Sequence, residues 1–347
     1  MSSLNNKYET WRWDIDKITN NRKSYKIQQG NHTVKVAIID SGIDENHPDL
    51  KNNIISNKSF IPKNNSLEDT FGHGTMVAGE IAANGNVKGV APRIGIASYK
   101  VFDGTNCESI WVINAIIEAA NDGMDVINLS LGTYKSILDK KDIYILLAYK
   151  KAIEYAQSKN CIVITASGTR LKGVDISNPF KLSKNLGNKN DLKIYLPGGL
   201  PNVITVSATN KNDELAYYSN YGNTVQIAAP AGDYGPNYQT QKITNFKYMT
   251  LVTYPTGLPQ SQLSLSMGFK KGYEFIEGGT SIAAAKVSAA AALLIAQYNE
   301  TYGFKPSRLK VEKLLYDGVT PAVKRDTEIY FGKGILNVEN SLNLIKN

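Results

Sequence analysis

The sequence predicts an α/β fold, a doubly wound and mostly parallel sheet with helices on both faces, arranged in three layers. Three observations carry that reading. Short apolar runs alternate with helix-like runs through most of the 347 residues, the pattern of strand–helix–strand units. Runs such as VKVAIID, near Val34 to Asp40, lack polar alternation and suit strands buried on both faces. Asp40 falls where that strand ends, and open α/β sheets keep their working loops at the carboxyl ends of strands.

The elements follow in order. Residues 1–30 read as an N-terminal extension and 31–347 as a single domain, with no internal boundary, repeat or low-complexity tract. After the strand ending at Asp40, a helix is expected from His73 through GTMVAGEIAANG, and a strand at IGIASYKVF. ESIWVINAIIEAANDG places Ile110, Ile113, Ile116, Ile117 and Ala120 at helical spacing, and Gly123 ends it. DVINLSLG is a strand that stops at Gly132, ILLAYKKAIEYAQSK a helix, and NCIVITAS and NVITVSAT are strands. SIAAAKVSAAAALLIAQYNE is a long, Ala-rich helix with little polar interruption, expected to be central and buried. PSRLKVEKLLYDG carries Pro306 and Ser307 at a helix start. Residues 134–141, 170–192 and 232–272 lack clean periodicity and read as long surface insertions.

Composition narrows the function classes. The net charge of +8 is carried by scattered Lys and Arg with no nucleic-acid motif or aromatic platform, so nucleic acid is not expected as a partner. No apolar run approaches the ~20 residues of a membrane span, so no membrane partner is expected, and a monomer is. MSSLNNKYETWRWD lacks the layout of a signal peptide. The expected location is the cytoplasm; the alternative is a secreted, mature form lacking its signal and pro-segment. Two cysteines, Cys107 in a polar loop and Cys161 in an apolar run, are too few for a disulfide framework and read as inert thiols. No cofactor and no metal are expected.

Three separated segments carry chemistry: VAIIDSGIDENHPDL around Asp40, GHGTMVAG around His73 and EGGTSIAAAKV around Ser281. Hydrolysis of a peptide bond by serine needs a base, a carboxylate to orient it, and donors for the developing oxyanion. Only His32, His47 and His73 can be that base. His32 reads as an exposed loop residue and His47, before Pro48, as a structural turn residue. His73, between two glycines at a helix start, is the candidate base. Ser281 opens the Ala-rich helix, where a serine would cap the helix; the same place suits a nucleophile, because a helix N-terminus favours negative charge.

These motifs resemble those of the subtilisin-like serine proteases (subtilases), whose triad follows the chain order Asp, His, Ser. The similarity runs from about Asp14 to the C-terminal helices. Within the family, WDIDKITNN, HGTMVAG with Met76, and GTSIAAAKVSA resemble lantibiotic leader peptidases. The resemblance implies a subtilisin-like fold, Asp40 as orienting carboxylate, His73 as general acid/base and Ser281 as nucleophile. It implies that Ser130, Leu131 and Gly132 pair with substrate backbone, and that Asp103, Gly104, Thr105 and Asn106 form the opposite edge. Ala166, Ser167 and Gly168 would flank the first side-chain pocket. The Ser281 backbone N–H and position 169 would serve the oxyanion. YSNYG and IAAPAG also resemble subtilase segments and read as structural.

Three departures stand out. Thr169 replaces the family's oxyanion Asn. Ala285 stands where the family often has Pro. The link NGNVK is too short for the calcium loop many subtilases carry, so no tightly bound calcium is expected there. Asp175 or Asp191 could select a basic side chain, against the plainer reading of both as solvated loop carboxylates. The implied function is endoproteolytic removal of the leader from a lantibiotic-type precursor, the partner being a peptide with an acidic leader that a basic protein attracts. The alternatives are a degenerate subtilase that binds peptide with little cleavage, and a general intracellular protease.

Overall fold

The computed structural model describes residues 7–62, 66–104, 106–322 and 328–345. Its strands are β1 Lys35–Asp40, β2 Ile54–Ser59, β3 Gly95–Lys100, β4 Val126–Leu129, β5 Thr133–Ser136, β6 Ile162–Ala166, β7 Lys193–Leu196, β8 Ile204–Thr209, β9 Ile227–Pro230, β10 Thr250–Thr253 and β11 Tyr273–Ile276. Seven of them form one parallel sheet in the order β2-β3-β1-β4-β6-β8-β9. Its apolar strands divide their side chains between two cores, as period-two geometry requires. Val36 and Ile38 of β1 enter the core that holds the helix Thr280–Tyr302, while Ala37 and Ile39 enter the core under the helices Ser109–Asn121 and Lys140–Ser158. Helix, sheet and helix are the three layers expected.

Three expectations need correction. On the helix Ser109–Asn121 the buried stripe is Val112, Ile113, Ala115, Ile116, Ala119 and Ala120, whereas Ile110 is 54% exposed. The helix packs against both the sheet and the helix Lys140–Ser158, and that wider seam turns its first-turn isoleucine outward. The stretch 232–272 is more than a surface insertion: β10 is wholly buried and pairs antiparallel with β11. Likewise Tyr134 to Ser136, within 134–141, belong to β5, which pairs antiparallel with β7 just after 170–192. These strands span four residues each, too few for alternation to show. The helix Thr280–Tyr302 is long and apolar enough to cross a membrane, contrary to the reading of the runs alone. It is a core helix here, for every residue from Ile282 to Ala296 is buried.

The segment before residue 31 buries Ile15 and Ile18 in the same core as the Ala-rich helix. It also brings charge inside. Arg12 Nη1 lies 2.5 Å from Glu80 Oε1, and Lys286 Nζ lies 2.6 Å from Asp14 Oδ2 and 3.2 Å from Glu80 Oε2, all with fully buried side chains. Backbone carbonyls add further acceptors, those of Leu251 and Lys88 for Arg12 and that of Pro230 for Lys286, while the buried Arg12 Nε has no partner. Two cations and two anions cancel. Burial alone would raise the Asp14 pKa, but Lys286 and Arg12 outweigh it and hold it below its ordinary value.

Removing one member of such a set strands a buried charge, which costs about 3–5 kcal/mol. Lys286→Met is therefore expected to lose about that much stability in urea unfolding, and adding Asp14→Leu to recover a large part of it. A loss below about 1 kcal/mol for the single variant would show that water or rearrangement supplies the missing cation.

Candidate active site

The parallel sheet collects four chain segments at one end. Asp40 is the last residue of β1, and β3, β4 and β6 end nearby at Lys100, Leu129 and Ala166. His73 is the first residue of the helix His73–Ala82. Its flanking glycines let that helix press on the strand end. A Cβ at Gly74 would lie 2.0 Å from the Gly42 carbonyl oxygen, and Gly72 adopts φ +99° with the Tyr254 ring 2.4 Å from a Cβ position. The result is a bidentate contact: His73 Nδ1 lies 2.8 Å from Asp40 Oδ1 and 2.9 Å from Oδ2. Asp40 is 2% exposed and its Oδ1 also accepts the Ser41 N–H. Burial opposes a charged His73 ring, but Asp40, and behind it Asp69, outweigh burial and raise the imidazole pKa above 6.5.

Asp69 was not singled out in the sequence, yet it organises this helix start. Its carboxylate accepts the N–H groups of Phe71, Gly72 and Thr75 and the hydroxyls of Ser41 and Thr75. Ser41 Oγ in turn accepts the Gly74 N–H. Asp69 thus does the capping that Gly72, without a side chain, cannot. The one available signal is an acidic residue shortly before the helix in SLEDTFG, which any polar loop shares.

Ser281 is the second residue of the helix Thr280–Tyr302, whose N-cap is Gly279. It is therefore not the cap expected from the sequence. Its hydroxyl donates instead to the Ser130 carbonyl at 2.9 Å, and Ser130 Oγ returns a bond to the Ser281 carbonyl at 3.0 Å. Ser130 lines the same cleft as Asp40 and His73, so the structure brings all three residues to one place. The serine hydroxyl is committed to the Ser130 carbonyl, and catalytic hydrogen bonds often form only once substrate is bound.

Thr169 sits beside this helix start. Its Oγ1 accepts the Thr280 N–H at 3.2 Å and lies 3.2 Å from Thr280 Oγ1, which itself accepts the Gly168 N–H. A point at the Cβ position of Gly279 is 3.9 Å from Thr169 Oγ1 and 4.0 Å from the Ser281 nitrogen, with no other atom within 4 Å outside its immediate neighbours. The space over Gly279 is therefore open and faced by both groups. Thr169 has one hydroxyl proton, and Thr280 competes for it.

The cleft has a volume of about 450 Å³, and its lining includes Phe71, Phe102, Ser130, Leu131 and Gly132. The two rings meet edge to face at 4.7 Å. Asp103, Gly104 and Asn106 continue from Phe102, and the Asp103 carboxylate accepts the Asn106 N–H; Thr105 lies outside the described residues. Across the sheet, Ala166 ends β6, Ser167 donates to the Asn220 carbonyl and Gly168 turns with φ +96°. His32 is exposed, and His47 is buried with its ring against the Gly272 carbonyl and the Asp49 N–H. Cys107 borders the cleft, where burial and then Asp40 push its thiol up to about 11, and Cys161 donates to the Met124 carbonyl. Asp175 accepts from Ser177, and Asp191 pairs with Lys193 and Ser136, so both are engaged by near neighbours. In the short link, the Asp49 carboxylate accepts the N–H groups of Asn86 and Val87. Among the described residues no group of three or more His, Cys, Asp or Glu side chains is placed to hold a metal.

Comparison with known proteins places the sequence and the fold. The chain is 39% identical over 313 residues to the epidermin leader peptide-processing serine protease EpiP of Staphylococcus epidermidis, an alignment covering 83% of this chain and 65% of that protein. It is 32% identical over 375 residues to the nisin leader peptide-processing serine protease NisP of Lactococcus lactis subsp. lactis, covering 99% of this chain and 50% of that protein. It thus spans between half and two thirds of the length of these relatives. The crystal structure of a lanthipeptide protease superposes with a TM-score of 0.87 at 31% identity, covering 98% of this chain and 96% of that one. The subtilase family profile matches residues 31–326, and with this fold and these strand-end motifs the chain belongs to the subtilase family.

Proposed function

We propose that the chain is a serine endopeptidase that removes the leader from a lantibiotic-type precursor peptide, with Asp40, His73 and Ser281 as its triad. The observation that carries this reading is the buried Asp40 carboxylate gripping His73 Nδ1 at the edge of a cleft whose wall, Ser130, holds the Ser281 hydroxyl. With Nδ1 committed to Asp40, Nε2 is the basic nitrogen. It takes the Ser281 proton as Oγ bonds to the scissile carbonyl carbon, then gives that proton to the departing amine as the C–N bond breaks. Water, deprotonated by the same nitrogen, hydrolyses the acyl-enzyme. The Ser281 N–H and the Thr169 hydroxyl face the space in which the oxyanion forms. The leader-processing role is supported by the likeness to EpiP, NisP and a lanthipeptide protease.

Mass spectrometry of a precursor peptide incubated with the protein is the direct test. One internal cut is expected, lost in Ser281→Ala and His73→Ala by on the order of 10⁶-fold in turnover. Broad digestion of unrelated unfolded proteins would instead identify a general protease.

Activity should depend on pH through His73. The neutral ring is the base, so kcat/KM falls as pH drops through its pKa, and that midpoint should lie above 6.5 because Asp40 favours the charged ring. Asp40→Asn should shift the His73 titration downward, read by NMR, and lower turnover by on the order of 10⁴.

Because the Thr169 hydroxyl is shared with Thr280, a slow enzyme is favoured over a fast one. Thr169→Asn is expected to raise kcat by up to about 10²-fold; an unchanged kcat would mean that the oxyanion is served without this position. The net charge of +8 adds a salt test. Cleavage of an acidic-leader peptide should weaken several-fold from about 50 mM to about 500 mM salt, and that of a neutral-leader peptide much less.

A further inference from the structure

We infer that Tyr195 closes the slot between the two peptide-binding segments, so that the protein accepts a small residue, such as alanine or serine, immediately before the bond it cuts. The inference rests on the peptidase reading above, with Ser130–Gly132 pairing with substrate backbone and Ala166–Gly168 flanking the first side-chain pocket; the slot between them is taken as that pocket.

The sheet sets the walls. β4 and β6 are neighbours, with Leu129 opposite Thr165, and beyond those residues the two chains continue as the paired segments. After Gly132 the chain enters β5, which pairs antiparallel with β7 and sets Tyr134 opposite Tyr195. That register aims the Tyr195 phenol back between the walls. A Cβ at Gly132 would lie 2.1 Å from Tyr195 Oη and 2.3 Å from Cζ. A Cβ at Gly168 would lie 3.0 Å from the same two atoms, so the hydroxyl end touches both walls at once. Further back, a Cβ at Gly198 would lie 3.0 Å from Cδ1 and Cε1, which places the ring edge at the base of the slot.

The plug is braced. Tyr195 is 4% exposed, and its ring packs on that of Tyr134 with centroids 5.2 Å apart. Asn220 Nδ2 donates to Tyr134 Oη and to the Ser167 carbonyl, both at 3.0 Å, tying the ring pair to the second wall. A long substrate side chain would have to displace this assembly from a close-packed setting. A basic side chain gains little from Asp191, whose charge Lys193 already neutralises.

The test uses product-type peptides that differ only in their C-terminal residue, Ala, Leu, Phe or Arg, titrated into the full chain and followed by NMR. This readout does not require Ser281 to react. The wild type should bind the Ala peptide at least about tenfold more tightly than the Phe and Arg peptides. Tyr195→Ala should move the Phe-to-Ala ratio at least about tenfold toward Phe, and Tyr195→Phe, which keeps the ring, should preserve the wild-type order. Equal affinities in the wild type, or a ratio unmoved by Tyr195→Ala in a variant with native circular dichroism, would overturn the inference. The wild-type ranking alone decides the matter where that variant does not fold. A fluorophosphonate probe separates the two layers. Labelling of Ser281 with a flat peptide ranking removes Tyr195 and leaves the endopeptidase; no labelling with a steep ranking does the reverse.

Discussion

The buried charge set of Arg12, Asp14, Glu80 and Lys286 is the constraint on which the rest of the site depends. Glu80 belongs to the helix that begins at His73, and Lys286 to the helix that carries Ser281 in its first turn. These two helices pack on each other on one face of the sheet. Their relative slide sets the distance between imidazole and hydroxyl. Apolar packing of Ala and Val along that seam would tolerate a small shift, whereas an ion pair at 3.2 Å between Lys286 and Glu80 would not. Arg12 and Asp14 complete the neutrality from outside the two helices. Buried ion pairs contribute little net stability, and specificity of arrangement is the use that fits here.

The same division between packing and polarity recurs around His73. Glycines at 72 and 74 bring backbone closer than any Cβ would permit, and Asp69 then satisfies the N–H groups left bare by that close approach. Asp40 reaches the ring from the strand, Asp69 holds the helix that carries it. Two buried carboxylates on one side of an imidazole bias it toward its charged form, which is the form present after it has accepted a proton.

Much of this was legible in the sequence, for identifiable reasons. Asp40, His73 and Ser281 stood out because each is a reactive side chain set among glycines and small residues, Asp40 also at the end of an apolar run. The parallel strands stood out because strands buried on both faces leave unbroken apolar stretches. β10 and β11 did not, since four buried residues carry no period. Asp69 is one carboxylate in a polar loop. Tyr195 is one of 20 tyrosines, and its place depends on the pairing of β5 with β7, which no local pattern announces. Lys286 was visible in principle: a lone lysine inside an Ala-rich helix with a fully buried face has to find a carboxylate.

The charge set also ties together parts of the chain that lie far apart. Asp14 precedes Glu80 by 66 positions, and Lys286 follows Glu80 by 206. Without the helix Thr280–Tyr302 the set holds two carboxylates against one guanidinium, an imbalance that disfavours burying it. Ser281 stands five positions before the lysine that restores neutrality. Charge balance in the core and the position of Ser281 are thereby settled by the docking of one helix.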